Sequence, residues 1–176
     1  MREHLLLSLI GPDRTGLVDK ITEAIAKNKG NVEGSRMAVL GGEFAMLLLV
    51  YVDDIQRAHL EAEVQKTAAG LELTLHAKPT SPRKPNQGTV PLLVKVRGMD
   101  NEGLVHQVTR YLASFGASVD SLDSQVGFAP HSGTLLFSMD MVIHAPASVS
   151  LASLRKGLQE VGDRLNVDIE LSTTRE

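Results

Sequence analysis

The chain has 176 residues, 43% of them hydrophobic and 22% charged, with a formal net charge of −3. That length suits two domains of under about a hundred residues each. The mildly acidic balance offers no basic field to nucleic acid, an aromatic content of 3% leaves few rings for base stacking, and the absence of Cys excludes disulfides, thiolate metal sites and a cysteine nucleophile.

Met1-Arg2-Glu3-His4 leads straight into an apolar run, with no charged-then-apolar leader. Glu3 to Ile10 is β-prone. Leu17, Val18, Ile21 and Ile25 recur at helical spacing, and Gly30 stops that helix. Val32 to Leu40, Gly41-Gly42, and Phe44 to Val52 read as a hairpin, the glycines supplying the positive φ of a tight turn. Phe44 to Val52 is also the longest apolar stretch, about half of what a membrane-spanning helix requires. A cytoplasmic protein without a membrane partner is expected. Leu60, Val64 and Ala68 share one helix face that ends near Gly70. Leu71, Leu73 and Leu75 alternate with polar residues as a half-buried last strand does.

Shifted by 87 positions, the separation of Gly11 and Gly98, the first half lies on the second. Asp13 meets Asp100, Gly16-Leu17-Val18 meets Gly103-Leu104-Val105, Thr22 meets Thr109 and Val32 meets Val119. The second copy repeats the elements: a strand over Leu92 to Arg97, a helix lined by Leu104, Val105, Val108 and Leu112, and a hairpin of Val119 to Val126 with Thr134 to His144. A helix carrying Leu151, Leu154, Leu158, Val161 and Leu165 follows, then a strand over Val167 to Leu171. Between the copies, "KPTSPRKPNQGTVP" holds four prolines and reads as a linker unable to join a helix or an inner strand. The expected domains are 1–78 and 90–176, joined by 79–89. The order β-α-β-β-α-β with short connections favours an α+β architecture: two tandem ferredoxin-like units, each an antiparallel sheet with both helices on one face. "FAMLLLVYV" (Phe44 to Val52) is apolar on both faces, so a cover over its second face, another copy or a second subunit, is expected.

The turn between the first strand and the first helix carries the chemistry. "GPDRTGLV" in the first copy and "GMDNEGLV" in the second place a glycine at a helix start. Helix N-termini present unpaired N–H groups and a partial positive charge, which suit a carboxylate or phosphate. Gly16 and Gly103 would open the backbone to a ligand or pack the turn against the sheet. Asp13 and Asp100 are expected to cap the helices. A small zwitterion fits such a turn, its carboxylate on the amides and its ammonium on a carbonyl or an aspartate.

This arrangement, with "DRTGLV", "GNVEGSR" and the duplicated "DNEGLV", resembles the ACT domain, a small amino-acid-binding regulatory module that pairs with another of its kind and holds ligand at the interface. Two tandem copies, "SRMAVLGGEFAMLLLV" (Ser35 to Val50) and the ending "LNVDIEL" are similar to the glycine cleavage system transcriptional repressor family. That resemblance implies a non-catalytic regulator of glycine-cleavage genes, with no direct nucleic-acid contact and no cofactor. It implies a protein partner such as a LysR-type transcription factor, glycine as the small amino acid sensed, and possible homodimers. It places ligand contacts at Asp13, Arg14, Thr15, Gly16, Leu17 and Asn31, and in the second copy at Asp100, Asn101, Gly103 and Leu104. Glu102 stands where Thr15 would align and would repel a carboxylate; Ser118 replaces Asn31. The alternative is an ACT-type regulatory subunit of an amino-acid biosynthetic enzyme, which would need a second half unlike the first.

Elsewhere the chemistry is sparse. The six histidines show no metal-ligand spacing. His106 and Arg36 read as solvated surface residues, although either could face a ligand. Asp53-Asp54 reads as charge at a helix start. No nucleophile elbow, Walker loop or dinucleotide fingerprint occurs, so no enzyme is expected.

Overall fold

The computed structural model describes residues 2–81, 88–130 and 133–173. The chain divides into two units, Met1–Lys84 and Pro85–Glu176. The first comprises β1 (Arg2–Pro12), α1 (Leu17–Lys27), β2 (Asn31–Leu40), β3 (Glu43–Asp53), α2 (Asp54–Gly70) and β4 (Thr74–Thr80). The second comprises β5 (Thr89–Met99), α3 (Leu104–Ser114), β6 (Ser118–Phe128), β7 (Leu135–Pro146), α4 (Leu151–Leu165) and β8 (Val167–Thr173). The described residues form a four-stranded antiparallel sheet in each unit, ordered β2-β3-β1-β4 and β6-β7-β5-β8. Both units are thus the ferredoxin-like α+β architecture that the order of elements favours.

Alternation decides which face is buried. Leu5, Leu7 and Leu9 of β1 and Phe44, Met46, Leu48, Val50 and Val52 of β3 point under the helices. Leu17, Ile21 and Ile25 of α1 and Leu60, Val64 and Ala68 of α2 close that layer from above, each fourth residue falling on one stripe. Full burial of one such aliphatic side chain contributes about 1.5–3 kcal/mol. The second unit repeats the pattern with Leu92, Val94 and Val96, Phe137 to Ala145 at alternate positions, and Val108, Leu112, Leu154 and Leu158 from its helices.

Two sequence expectations need correction. Leu71 does not belong to the last strand of the first unit. It is the C-cap of α2, Glu72 takes φ 58°, and Leu73 donates back to the Ala68 carbonyl at 2.9 Å before β4 starts at Thr74. A helix end of this kind consumes three residues, Leu71 to Leu73, that the apolar alternation had assigned to a strand. Nor do the prolines exclude strands. Pro79 lies in β4, an edge strand, and Pro91 lies in β5 one position before its pairing with β8 begins at Leu92. Edge strands and strand starts are the places that tolerate a residue without an N–H; Pro82 and Pro85 lie outside the described residues. The second face of β3 is bare within its unit, with Leu47 exposed and Leu49 and Tyr51 half-buried.

The two helices of the second unit meet at a point where a missing side chain matters. A Cβ at Gly157 of α4 would lie 1.7 Å from the Tyr111 hydroxyl and 2.4 Å from its Cζ. Tyr111 is held in turn by its ring contact with Phe115, centroids 5.1 Å apart. Gly→Ala in an open helix gains up to about 1 kcal/mol, whereas forcing a rigid ring aside costs about 1–3 kcal/mol. Gly157→Ala is therefore expected to destabilise the protein by about 1 kcal/mol in urea unfolding. In a Tyr111→Ala background the same substitution should become stabilising.

Candidate functional site

The two β-α turns are built alike, and glycine makes both possible. At the end of β1, a Cβ on Gly11 would lie 2.6 Å from the Glu72 carbonyl oxygen. At the end of β5, a Cβ on Gly98 would lie 2.6 Å from Val167 Cγ1 and 2.9 Å from its Cα. The chain leaving the second helix of each unit presses directly on the strand that leads into the turn. The turn then hangs on the neighbouring hairpin: Asp13 donates its N–H to the Gly42 carbonyl, and Asp100 to the Leu135 carbonyl, each at 3.1 Å.

The next position ties the turn to the end of the second helix. Arg14 donates from its guanidinium to the Leu71 carbonyl and lies 3.7 Å from Glu72. Asn101, its counterpart, donates from Nδ2 to the Leu165 carbonyl at 3.3 Å. Both side chains satisfy carbonyls at a helix C-terminus, where no intrahelical partner exists and a donor is favoured. This tethering role was not foreseen. Its signal was present in the sequence: two donor-bearing side chains at one repeat position.

Gly16 and Gly103 are the N-caps of α1 and α3, in left-handed conformation with φ 92° and 79°. Among the described residues no side chain caps either helix, so the capping expected of Asp13 and Asp100 is absent. A left-handed N-cap turns the preceding residues away from the axis, and the Asp main chains are already bound to the hairpin. The first intrahelical bonds run from Lys20 to the Gly16 carbonyl and from Gln107 to the Gly103 carbonyl, at 3.0 and 2.9 Å. The amides of Leu17, Val18 and Asp19, and of Leu104, Val105 and His106, precede them. Among the described residues, nothing beyond the adjoining chain lies within 4 Å of the Cβ position at either glycine. Space is therefore not why these residues are glycine; the positive φ is.

The remaining nominated residues divide. Thr15 and Glu102 are exposed beside their glycines. Leu17 and Leu104 are each 2% exposed, so they offer a ligand their backbone and not their side chains. Asn31 is not part of the same turn. It pairs with Tyr51, whereas the turn abuts Glu43 at the other end of β3. Eight residues of strand separate those ends, about 26 Å at roughly 3.3 Å per residue. Ser118 sits likewise opposite His144.

In the second unit an apolar depression of about 560 Å³ lies on the open sheet face close to the turn, lined by Val126, Phe128 and Leu136 together with Gly98 and Arg97. Arg97 is immobilised there by a bidentate pair with Asp140, at 2.8 and 2.7 Å, and by the Met139 carbonyl at 3.0 Å. Arg36 and His106 are exposed, Arg36 donating to the Ser35 carbonyl next to it. Asp53 is the N-cap of α2, and Asp54 accepts from the Ile55 amide at 2.8 Å. Among the described residues no three His, Asp or Glu side chains converge as a metal site, and no helix is long and apolar enough to cross a membrane.

The ACT domain family matches this chain twice, over residues 3–78 and 90–172. The glycine cleavage system transcriptional repressor of Escherichia coli K12 is 26% identical over 167 residues, 94% of this chain and 87% of that protein. A solved structure of an unknown protein from Galdieria sulphuraria matches with a TM-score of 0.88 at 30% identity, over 99% of this chain and 100% of that one. Another, proposed to be a glycine cleavage system transcriptional repressor, matches with a TM-score of 0.72 at 21% identity over 100% of this chain and 99% of that one, a likeness of fold.

Proposed function

The chain belongs to the ACT domain family, and from that premise we propose that it is a non-catalytic, amino-acid-responsive regulator of glycine-cleavage genes that acts through a DNA-binding protein partner. The observation that carries the reading is the pair of exposed helix N-termini, each opened by a left-handed glycine and capped by no side chain. A carboxylate of a small amino acid would take the free amides after Gly16 or Gly103. Its ammonium would meet the Asp13 or Asp100 carboxylate. The relative's name supports glycine cleavage as the process regulated, and the acidic chain supports a protein partner, of LysR type by resemblance, over direct nucleic-acid contact.

Asn31 enters the site from elsewhere. Asn31 lies at the far end of its sheet from the Gly16 turn and does not reach an amino acid bound there; in a homodimer a second copy of the chain would supply it. Glu102 makes the second turn the weaker site. Glu102→Thr is expected to raise affinity there by about two- to fivefold, the equivalent of about 0.3–1 kcal/mol for one exposed charge at a helix N-terminus.

Calorimetric titration with the twenty amino acids tests the reading. Glycine or another small amino acid should bind weakly, and large side chains should bind less well. Absence of binding by every amino acid would sink the sensing function. Copurification of a biosynthetic enzyme in place of a transcription factor would overturn the proposed partner.

A further inference from the structure

On the helix layer of the second unit, α3 and α4 enclose a groove of about 520 Å³ lined by His106, Gln107, Arg110, Tyr111, Ser114 and Arg164. Arg110 and Arg164 are exposed and have no ion-pair partner among the described residues. The nearby Glu160 lies 4.0 Å from Lys156, and burial, with Glu160 next, raises the pKa of the Tyr111 phenol above its usual value, keeping it a neutral donor. His106, Arg110 and Ser114 lie four residues apart along one face of α3, spanning about 12 Å.

The duplicated chain supplies its own control. At the same repeat positions α1 carries Asp19, Lys20, Glu23 and Lys27 where α3 carries His106, Gln107, Arg110 and Ser114. The α1 charges neutralise one another: Glu23 lies 2.8 Å from Lys27 and 3.7 Å from Lys20. The hydrogen bond and charge of Lys27, then the charge of Lys20, hold the Glu23 carboxyl below its usual pKa. In α3 the acid at the centre of that ladder is replaced by Arg110, which has no ion-pair partner among the described residues. The second unit thus places two arginines without ion-pair partners among the described residues, Arg110 of α3 and Arg164 of α4, on either side of Tyr111, on a chain whose net charge is −3.

We infer that this groove docks an acidic segment of a protein partner, a helix or extended strand carrying carboxylates along its length. The inference rests on the regulator reading above and names the surface that meets its partner. A small anion gains little from solvated, exposed guanidiniums. A segment lying across the groove pairs with both arginines at once, is steered to them, and leaves its apolar positions to the Tyr111 ring. Nucleic acid would want a broader basic surface than this acidic chain offers.

The probe is a fluorescein-labelled alanine–glutamate peptide of roughly twenty residues, long enough to form a helix, followed by anisotropy at low salt. Wild type should bind it, and added salt should weaken binding. Arg110→Glu with Arg164→Glu should weaken it about tenfold or more. Lys20→Glu with Lys27→Glu imposes the same charge change on the first unit and should alter affinity less than about twofold. Thermal melting of both double variants checks folding, and all four positions are exposed. Equal loss in both variants, no binding by wild type, or tighter binding of a duplex DNA of similar charge would overturn the inference. Glycine titration of the same proteins separates the two readings. Glycine binding without peptide binding defeats the groove alone, and peptide binding without glycine binding defeats the sensing function alone.

Discussion

Gly16→Val is expected to eliminate amino-acid binding at the first turn and to lower stability by about 2 kcal/mol. Residues with a Cβ pay about 1–2 kcal/mol for the left-handed region, and a β-branched side chain suffers most there. Gly16 sits at φ 92° with nothing within 4 Å of its Cβ position, so this cost is conformational and not a clash. That distinction makes a second substitution informative. Asn tolerates positive φ, and Gly16→Asn should keep the helix start at a cost below about 1 kcal/mol. If a carboxylate occupies the space in front of the amides of Leu17 and Val18, the Asn side chain will compete with it, and affinity will fall although the fold stands. Urea unfolding gives the stability terms and calorimetry gives the affinity. Undiminished binding by a folded Gly16→Asn protein would show that the ligand does not approach this face.

Gly98→Ala is expected to cost about 2–3 kcal/mol for one methyl group. The new Cβ would meet Val167 at Cγ1 (2.6 Å), Cβ (2.9 Å) and Cα (2.9 Å). Two of those atoms belong to the valine side chain and one to the backbone, so relief by trimming is partial. Val167→Ala alone removes buried methyls and destabilises. Combined with Gly98→Ala, the double variant should be about 1 kcal/mol more stable than the sum of the single effects. Gly11→Ala, in the first unit, meets the Glu72 carbonyl oxygen at 2.6 Å, and no side-chain deletion can relieve a backbone contact. Additive behaviour in the Gly98/Val167 cycle would mean that β5 and β8 separate easily and that the tight crossing beneath the second turn does not exist.

The element order was legible because most elements carry a clean period, the doubly apolar β3 excepted. Leu17, Ile21 and Ile25 fall on a helix stripe, and Leu5, Leu7 and Leu9 on one strand face. The 87-residue offset made each copy a check on the other. Legibility failed where local chemistry outweighed period. Leu71 and Leu73 look like alternate strand residues, yet they close the end of α2 around Glu72. At the site, the sequence pointed to the turns and to their glycines. It did not reveal that Gly11 and Gly98 exist for close chain crossings while Gly16 and Gly103 exist for their backbone angle. Nor did it show that Arg14 and Asn101 are bound to helix-end carbonyls. Those facts depend on which segments meet in space, and no periodicity encodes that. Asp13 and Asp100 were assigned a capping role because aspartate before a helix commonly caps it; their main chains are instead held by the hairpins.

The most direct measurement is an amide chemical-shift titration of the folded protein with glycine. The amides of Leu17, Val18 and Asp19 should shift first, and those of Leu104, Val105 and His106 should follow at higher concentration. Shifts confined to other parts of the sheets, or none at saturating glycine, would contradict the assignment of these helix starts as the place where the metabolite is read.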